Sequence, residues 1–217
     1  MKTVNTKFSA EEDGFRFENA FDVRETLLLA VLRQKEPEAA AQNAPYGLCG
    51  GMCFAALDYL NAKKPVPKFP TVKDISAELL IYLWIRQMDT LRYPALANIV
   101  IWSTLRTDIS LARSVANSEV PRLWKKIDAG EPAVLALISA RGPGELTHNH
   151  QVLAVGYDYA PETDRVAIRL YDPNYPRTTQ VLTLNIAAPG EGIGLKHSKP
   201  DAWRGFFVID YEPKTPP

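Results

Sequence analysis

Cysteine and histidine are scarce in this chain of 217 residues, which contains two cysteines and three histidines. Two cysteines cannot build the disulfide framework of a small secreted scaffold, so we expect a reducing, cytoplasmic compartment. Residues 1–21 lack the apolar segment of a secretory signal peptide, and no apolar run reaches the roughly 18 residues of a membrane span. Secretion by a route without such a signal stays compatible with these absences.

The formal net charge is zero, because 25 basic residues balance 25 acidic ones. No basic run stands out, so nucleic acids and anionic membranes are not expected as partners. Apolar residues make up 46% of the chain, as in ordinary globular proteins. This length suffices to bury a substantial core, and we expect a single domain over 1–217. The oligomeric state is left open.

Helical patterns dominate the first part of the chain and strand patterns the second. Helices are predicted over 21–34, from about 49 to before 65, and over 71–88, 108–116 and 120–129, with caps at Thr71, Asp108 and Ser118. Strands are predicted over 130–138, 150–159, 165–172, 179–186 and 205–211. Short connections favour antiparallel pairing. The order predicts an α+β fold, with a mainly helical lobe over about 20–128 and a mainly β lobe over about 130–212.

The stretch YGLCGGMCFAALDYL, residues 46–60, holds both cysteines. Glycines surround Cys49 at the point where the helical pattern begins. A cysteine at a helix N-terminus meets unpaired N–H groups and the positive end of the helix dipole, which lower the pKa of the thiol. Cys53 lies one turn later among apolar residues, where we expect it to be buried and inert. Cys49 is therefore the candidate nucleophile.

A catalytic thiolate needs a base, usually histidine, and the base needs an acceptor that orients it. His150 opens the strongest strand pattern, HQVLAVGYDY, and Asp172 ends the next one. If these strands form a symmetric hairpin about the turn near 160–164, residues 150 and 172 fall opposite each other. The sequence thus predicts a site in which Asp172 orients His150 beside Cys49.

These segments resemble the papain-like cysteine peptidases. GLCGGMCFAAL is similar to the helix that carries their nucleophile, and HQVLAVGY to the strand that carries their histidine. YDPNYP is similar to the segment that carries the third catalytic residue, Asp-Pro, in bacterial branches that include bacteriocin-processing peptidase domains. The segment WKKIDAGEPAVLALI also resembles those bacterial relatives, and the order Cys, His, Asp is the same. The resemblance covers about 42–60 and 121–176. It departs from papain at Gly50, where papain has tryptophan, and after Asp172, where no Ser-Trp follows.

The resemblance implies a papain-like fold, with the cysteine on a helical lobe and the histidine and aspartate on an antiparallel β lobe. It implies a thiol hydrolase that cleaves a peptide or amide bond of a peptide or protein substrate through an acyl-enzyme. It also implies an amide side chain that donates to the oxyanion, six residues before the nucleophile. That position is Asn43, whereas Gln42 has the family's usual residue type. No cofactor or metal is implied.

Several other interpretations fit parts of the sequence. The same triad would serve a transglutaminase or another acyltransferase, and a papain-like domain can also be a non-catalytic binding module. His148 and His150 would share one face of a strand and form a metal site with Asp172 or Cys49, but no second close ligand pair accompanies them. Cys49 and Cys53 are four residues apart rather than in the CxxC spacing of redox dithiols. The four tryptophans are predicted as core or cleft walls: Trp84, Trp102, Trp124 and Trp203.

Overall fold

A computed structural model describes residues 1–21 and 47–217 of the chain. In this part the protein is a mixed α+β structure, in which a curled antiparallel sheet is combined with several helices. The predicted helix over 21–34 lies, apart from Phe21, outside the described residues. Within the described ranges, no helix has both the length and the apolar character that crossing a membrane requires.

Helix α1, Cys49–Asn61, begins at the predicted nucleophile. The predicted start of the next helix, at Thr71, is wrong. Thr71 caps only a 3-10 turn, Val72–Asp74, and the chain is then extended at Ile75. Helix α2, Ala77–Thr90, begins after Ser76, whose side chain accepts a hydrogen bond from the Leu79 N–H at 3.1 Å. A complete capping box at Thr71 therefore marks a turn and not the helix itself.

Helix α3, Ala95–Thr104, was not predicted from the sequence. Helix α4, Asp108–Ser114, is capped by Thr107 rather than by Asp108. The predicted cap at Ser118 is also wrong, because Ser118 lies in a π-helical segment, Val115–Glu119, that joins α4 to α5. Helix α5 spans Val120–Asp128. The two predicted helices are thus one continuous helical rod with a π-helical turn in its middle.

In the described part of the chain seven strands form the sheet, and all their pairings are antiparallel. The strands are β1 (Lys2–Asn5), β2 (Ala133–Ile138), β3 (His150–Ala160), β4 (Arg165–Tyr171), β5 (Thr179–Asn185), β6 (Lys196–His197) and β7 (Gly205–Ile209). Their order is β6-β5-β4-β3-β2-β7, and β1 pairs with the second half of β3. Strands β1 and β6 were not predicted, since each is short and gains its backbone partners only from the folded sheet.

The predicted register of the β3–β4 hairpin is wrong. Leu153 lies opposite Tyr171, and after an irregularity between Ala154 and Gly156 the pairing shifts so that Gly156 lies opposite Arg169. The pairing already starts at the turn with Ala160 opposite Arg165, whereas the predicted symmetry places 160 opposite 162, and the bulge then changes the register by one residue. Residue 150 therefore does not pair with residue 172 across the ladder, although their side chains still meet.

The hydrophobic core contains residues from the helices, from the sheet and from the N-terminal segment. Helix α1 is buried along most of its length and packs against α2, β2 and β3. A side chain at Gly51 would place its Cβ 2.2 Å from the backbone oxygen of Leu83, so α1 and α2 approach more closely there than any larger residue allows. This packing holds the first turn of α1 against the end of the sheet at which β3 begins.

Candidate active site

Cys49 is the first residue of α1, and its side chain is partly exposed. Two side chains from other elements hold the start of this helix. Asn19 Oδ1 accepts from the Leu48 N–H at 2.5 Å, and Gln87 Oε1 accepts from the Gly51 N–H at 2.9 Å. The backbone N–H groups of Gln151 and Gly50 are left to hydrogen-bond to the Cys49 sulfur. The thiol therefore lies at a helix N-terminus at which the Leu48 and Gly51 N–H groups already have acceptors.

His150 is the first residue of β3, is buried, and is hydrogen-bonded to Cys49. Its Nε2 donates to Asp172 Oδ1 at 2.7 Å. The same carboxylate oxygen accepts from the Asn174 N–H at 2.9 Å, so the turn after β4 holds the carboxylate in place. Because Nε2 is taken by Asp172, the nitrogen available to the thiol is Nδ1. The structure thus brings together the three residues predicted from separate segments of the sequence.

Cys49 and His150 each stabilise the ionised form of the other. Burial disfavours the thiolate, but the positive charge and hydrogen bond of His150 outweigh it, so the pKa of Cys49 lies below its usual value. Burial likewise disfavours the imidazolium, but Cys49 and the hydrogen bond to Asp172 raise the pKa of His150 from 6.5 to about 10. Such an arrangement favours a thiolate–imidazolium pair at neutral pH.

Cys53 differs from Cys49 in its burial and in the direction in which its pKa is shifted. It is buried, and its sulfur lies 3.7 Å from the Gln151 carbonyl oxygen, to which the thiol donates. Burial and the nearby Cys49 raise the pKa of Cys53 well above its usual value. Both cysteines are free thiols. Cys53 therefore fills the core as a small apolar residue, as the sequence predicts.

Trp203 covers the imidazole of His150. The two rings are nearly parallel, with an interplanar angle of 21° and centroids 6.1 Å apart. Arg204 anchors this segment, because its Nε donates to Asp108 at 2.6 Å and its Nη2 donates to the Arg106 carbonyl at 2.7 Å. The general prediction that the tryptophans are core or cleft walls fits Trp203. However, nothing in the sequence pattern links residue 203 to residue 150.

Asn19 is a second contributor that the sequence analysis missed. Besides accepting from Leu48, it donates from its side chain to Asn174 Oδ1 at 3.0 Å and from its backbone to the Pro173 carbonyl at 3.0 Å. It therefore links the segment before Cys49 to the turn that follows Asp172. An asparagine in a polar N-terminal segment carries no local signal of such a role.

The remaining predicted site residues do not all enter this arrangement. Asn43 and Gln42 lie outside the described residues. His148 is exposed and belongs to a 3-10 turn, Pro143–His148, so the predicted strand pair with His150 does not form. Within residues 1–21 and 47–217, no group of three or more His, Cys, Asp or Glu side chains is arranged to hold a metal ion.

Comparisons with known proteins place no further constraint on this site. No protein-family model matches the chain, and no match was found among curated proteins or solved structures. What the site can do therefore has to be argued from its own geometry.

Proposed function

We propose that the protein is a papain-like thiol hydrolase that cleaves a peptide or amide bond through a Cys49–His150–Asp172 triad. The observation that carries this proposal is the hydrogen-bonded chain from the thiol through His150 to Asp172, with the thiol at the start of a buried helix. A nucleophile, a base and a group that orients the base are the three parts that covalent acyl transfer requires.

In the first half-reaction, the Cys49 thiolate attacks the carbonyl carbon, and a C–S bond forms while the carbonyl π electrons move to oxygen. The tetrahedral intermediate then collapses. The C=O bond re-forms, the C–N bond breaks, and the His150 imidazolium gives its Nδ1 proton to the leaving amine. The products are a thioester on Cys49, a free amine and a neutral imidazole.

In the second half-reaction, neutral His150 accepts a proton from a water molecule, whose oxygen attacks the thioester carbonyl. The new C–O bond forms, the C–S bond breaks, and the thiolate and imidazolium are restored. Asp172 keeps the Nε2–H of His150 occupied throughout, so the other nitrogen always faces the sulfur and the substrate. If an amine replaces water, the same steps give an acyltransferase.

The oxyanion would be bound by the backbone N–H of Cys49 and an amide side chain. A helix N-terminus presents N–H donors in this way, and each oxyanion donor contributes about 3 kcal/mol to transition-state stabilisation. Asn43 is the proposed side-chain donor because it lies six residues before Cys49, with Gln42 as the alternative. Neither residue lies in the described part of the chain.

The proposal is tested by the reactivity of the two cysteines. At about pH 6 an ordinary thiol is almost wholly protonated and reacts slowly with iodoacetamide. We expect Cys49 to be alkylated at this pH and Cys53 to react only after unfolding. His150→Ala should abolish the low-pH reaction, because the imidazolium then no longer stabilises the thiolate. Mass spectrometry of peptides labelled at several pH values measures both sites.

His148→Ala is the matched control, since His148 is exposed and its ring takes no part in the site. This variant should label like the unmodified protein. Labelling of Cys49 only above about pH 8 would show an ordinary thiol and would overturn the proposal. A reactive Cys49 without hydrolysis of any peptide or amide library would point instead to transfer onto an amine.

A further inference from the structure

A second histidine faces the far side of Asp172. His197 ends the short strand β6, where it pairs with Leu182 of β5, and its side chain is completely buried. Its Nε2 lies 3.5 Å from Asp172 Oδ2, whereas His150 binds the other carboxylate oxygen, Oδ1. The carboxylate thus lies between two imidazoles that come from different parts of the sheet.

The hydrogen bonds of His197 fix the position of its proton. The Lys199 N–H donates to Nδ1 at 3.2 Å, so Nδ1 is an acceptor and carries no hydrogen. A neutral imidazole has one N–H, which must then be on Nε2. In the described part of the chain this buried Nε2 makes no hydrogen bond of its own, and Asp172 Oδ2 is the carboxylate oxygen that it faces.

The groups around His197 keep it in this neutral form. Burial disfavours the imidazolium, as do the charges of His150 and Lys199, whereas Asp172 and Asp201 favour it. The balance leaves the pKa of His197 below its usual value of 6.5. His197 therefore faces Asp172 at neutral pH as a dipole with its N–H forward.

We propose that His197 is a positioning residue for the triad, whose Nε2–H holds the second oxygen of Asp172 so that the first stays aimed at His150. This role rests on the proposed function, since it concerns the orientation of the catalytic base. The chain of contacts would then run from Cys49 through His150 and Asp172 to His197.

The surroundings of His197 explain why this contact is favourable. Asp172 Oδ1 accepts from His150 and from the Asn174 N–H, at 2.7 and 2.9 Å, and Oδ2 is the oxygen turned to His197. Among the described residues the buried Nε2 of His197 has no other partner, and a buried donor without an acceptor is unfavourable. A separation of 3.5 Å is longer than a hydrogen bond, but catalytic hydrogen bonds are often long before substrate binds and shorten in the complex.

Two substitutions separate the N–H donor from the bulk of the ring. His197→Phe keeps a ring against Tyr175, which packs 6.2 Å away, but removes the donor. His197→Gln keeps an N–H at a comparable distance from the backbone. We expect His197→Phe to slow alkylation of Cys49 at about pH 6 roughly three- to tenfold, the range that one hydrogen bond represents. His197→Gln should stay within about twofold of the unmodified protein.

A double substitution shows whether the effect passes through Asp172. In an Asp172→Ala background, His197→Phe should cause no further loss, because the group on which it acts is gone. Multiplicative losses would overturn the proposal, and so would equal losses in His197→Phe and His197→Gln. His148→Gln serves as the matched histidine control and should leave the alkylation rate unchanged. Circular dichroism identifies any variant that fails to fold.

A spectroscopic measurement decides the question independently of reactivity. Nitrogen-15 NMR of labelled histidine distinguishes the two neutral tautomers, and we expect His197 to carry its proton on Nε2 at neutral pH. A proton on Nδ1, or a doubly protonated ring, would overturn the inference whatever Cys49 does. In contrast, an unreactive Cys49 beside a His197 with the expected tautomer would count against the proposed function and not against the contact.

Discussion

Asp172 lies between two imidazoles, and its effect on His150 is electrostatic as well as geometric. It accepts the Nε2–H of His150, and this contact helps to raise the pKa of the imidazole. Oδ1 contacts His150 and Oδ2 faces His197. In the proposed mechanism Asp172 therefore supports the base and takes no part in bond making.

From this we predict a graded response to substitution at Asp172. Asp172→Ala should lower turnover, and the alkylation rate of Cys49 at about pH 6, tenfold or more, because an opposite charge next to an ionised group shifts its pKa by about one unit or more. Asp172→Asn should keep more activity, since its amide oxygen still accepts from the imidazole. Total and equal loss in both folded variants would assign Asp172 a different role, such as metal ligation.

At the scale of elements, the contact between α1 and α2 sets where the nucleophile lies. Gly51 N–H donates to Gln87 Oε1, and the Gly51 Cα faces the Leu83 carbonyl. A methyl group there would lie 2.2 Å from that oxygen and 3.0 Å from the Gln87 nitrogen. Both neighbours are backbone atoms of a helix, so they cannot move without displacing α2.

We therefore predict that Gly51→Ala destabilises the protein by about 1 to 3 kcal/mol, since overpacking outweighs the gain of up to about 1 kcal/mol in helix propensity. Urea unfolding followed by circular dichroism measures the free energy of unfolding. Gly144→Ala is the control, because Gly144 has open space around it, and it should change this value by less than about 0.5 kcal/mol. Stability that is equal in the two variants would contradict the tight α1–α2 contact.

At the scale of the whole molecule, a buried ion pair ties the C-terminal tail to the helix that carries Cys49. Asp58 of α1 is fully buried and contacts Arg86 Nε at 2.7 Å. It also accepts from the Tyr211 hydroxyl and the Lys214 N–H, each at 2.8 Å. Arg86 in turn donates to the Glu212 carbonyl at 2.8 Å. One carboxylate thus joins two helices and the tail.

Removal of this carboxylate should be far more harmful than removal of a surface one. Asp58→Ala removes one of the two carboxylates on the buried Arg86, the other being Asp89 at 2.6 Å, and also leaves the Tyr211 hydroxyl and the Lys214 N–H without their acceptor. We expect a loss of about 3 to 5 kcal/mol in the free energy of unfolding. Asp210→Ala breaks the exposed pair with Arg122 and should lose no more than about 1 kcal/mol. Denaturant titration of both variants makes the comparison. A loss at Asp58 as small as that at Asp210 would mean that the pair contributes little.

The thiolate–imidazolium pair should also shape the dependence of global stability on pH. In the unfolded chain His150 titrates near 6.5 and Cys49 near 9.0, whereas in the folded protein one pKa is raised to about 10 and the other lowered. While the folded pair stays thiolate–imidazolium it binds one proton, whereas below pH 6.5 the unfolded pair binds two, so stability rises with pH. Above pH 9.0 it binds fewer, so stability falls.

The expected result is a plateau between these two values in the contribution of the pair. It is measured as the difference in unfolding free energy between the unmodified protein and a variant that carries both Cys49→Ser and His150→Gln. Most other titrating groups are common to both proteins and largely cancel in the difference. A difference that stays constant from below pH 6.5 to above pH 9.0 would show that neither pKa is shifted on folding, and would contradict the prediction.

The sequence by itself determined that Cys49 lies at the start of a helix and His150 at the start of a strand. The helical spacing after Cys49 and the glycines around it predict a thiol at a helix start, and HQVLAVGYDY predicts a strand that opens with His150. These are local patterns, with periods of about 3.6 and 2 residues, and a local pattern is readable from one segment alone. The α+β class followed from the same segregation of helical and strand patterns.

Only the tertiary structure decided which residues meet. The hairpin closes with Ala160 opposite Arg165 and carries a bulge in β3, and neither the point of closure nor the bulge can be read from a sequence period. Asn19, Trp203 and His197 reach the site from segments that carry no motif, because their partners lie far away along the chain. A side chain's contacts with distant residues depend on the arrangement of the whole sheet, and no short stretch of sequence contains that arrangement.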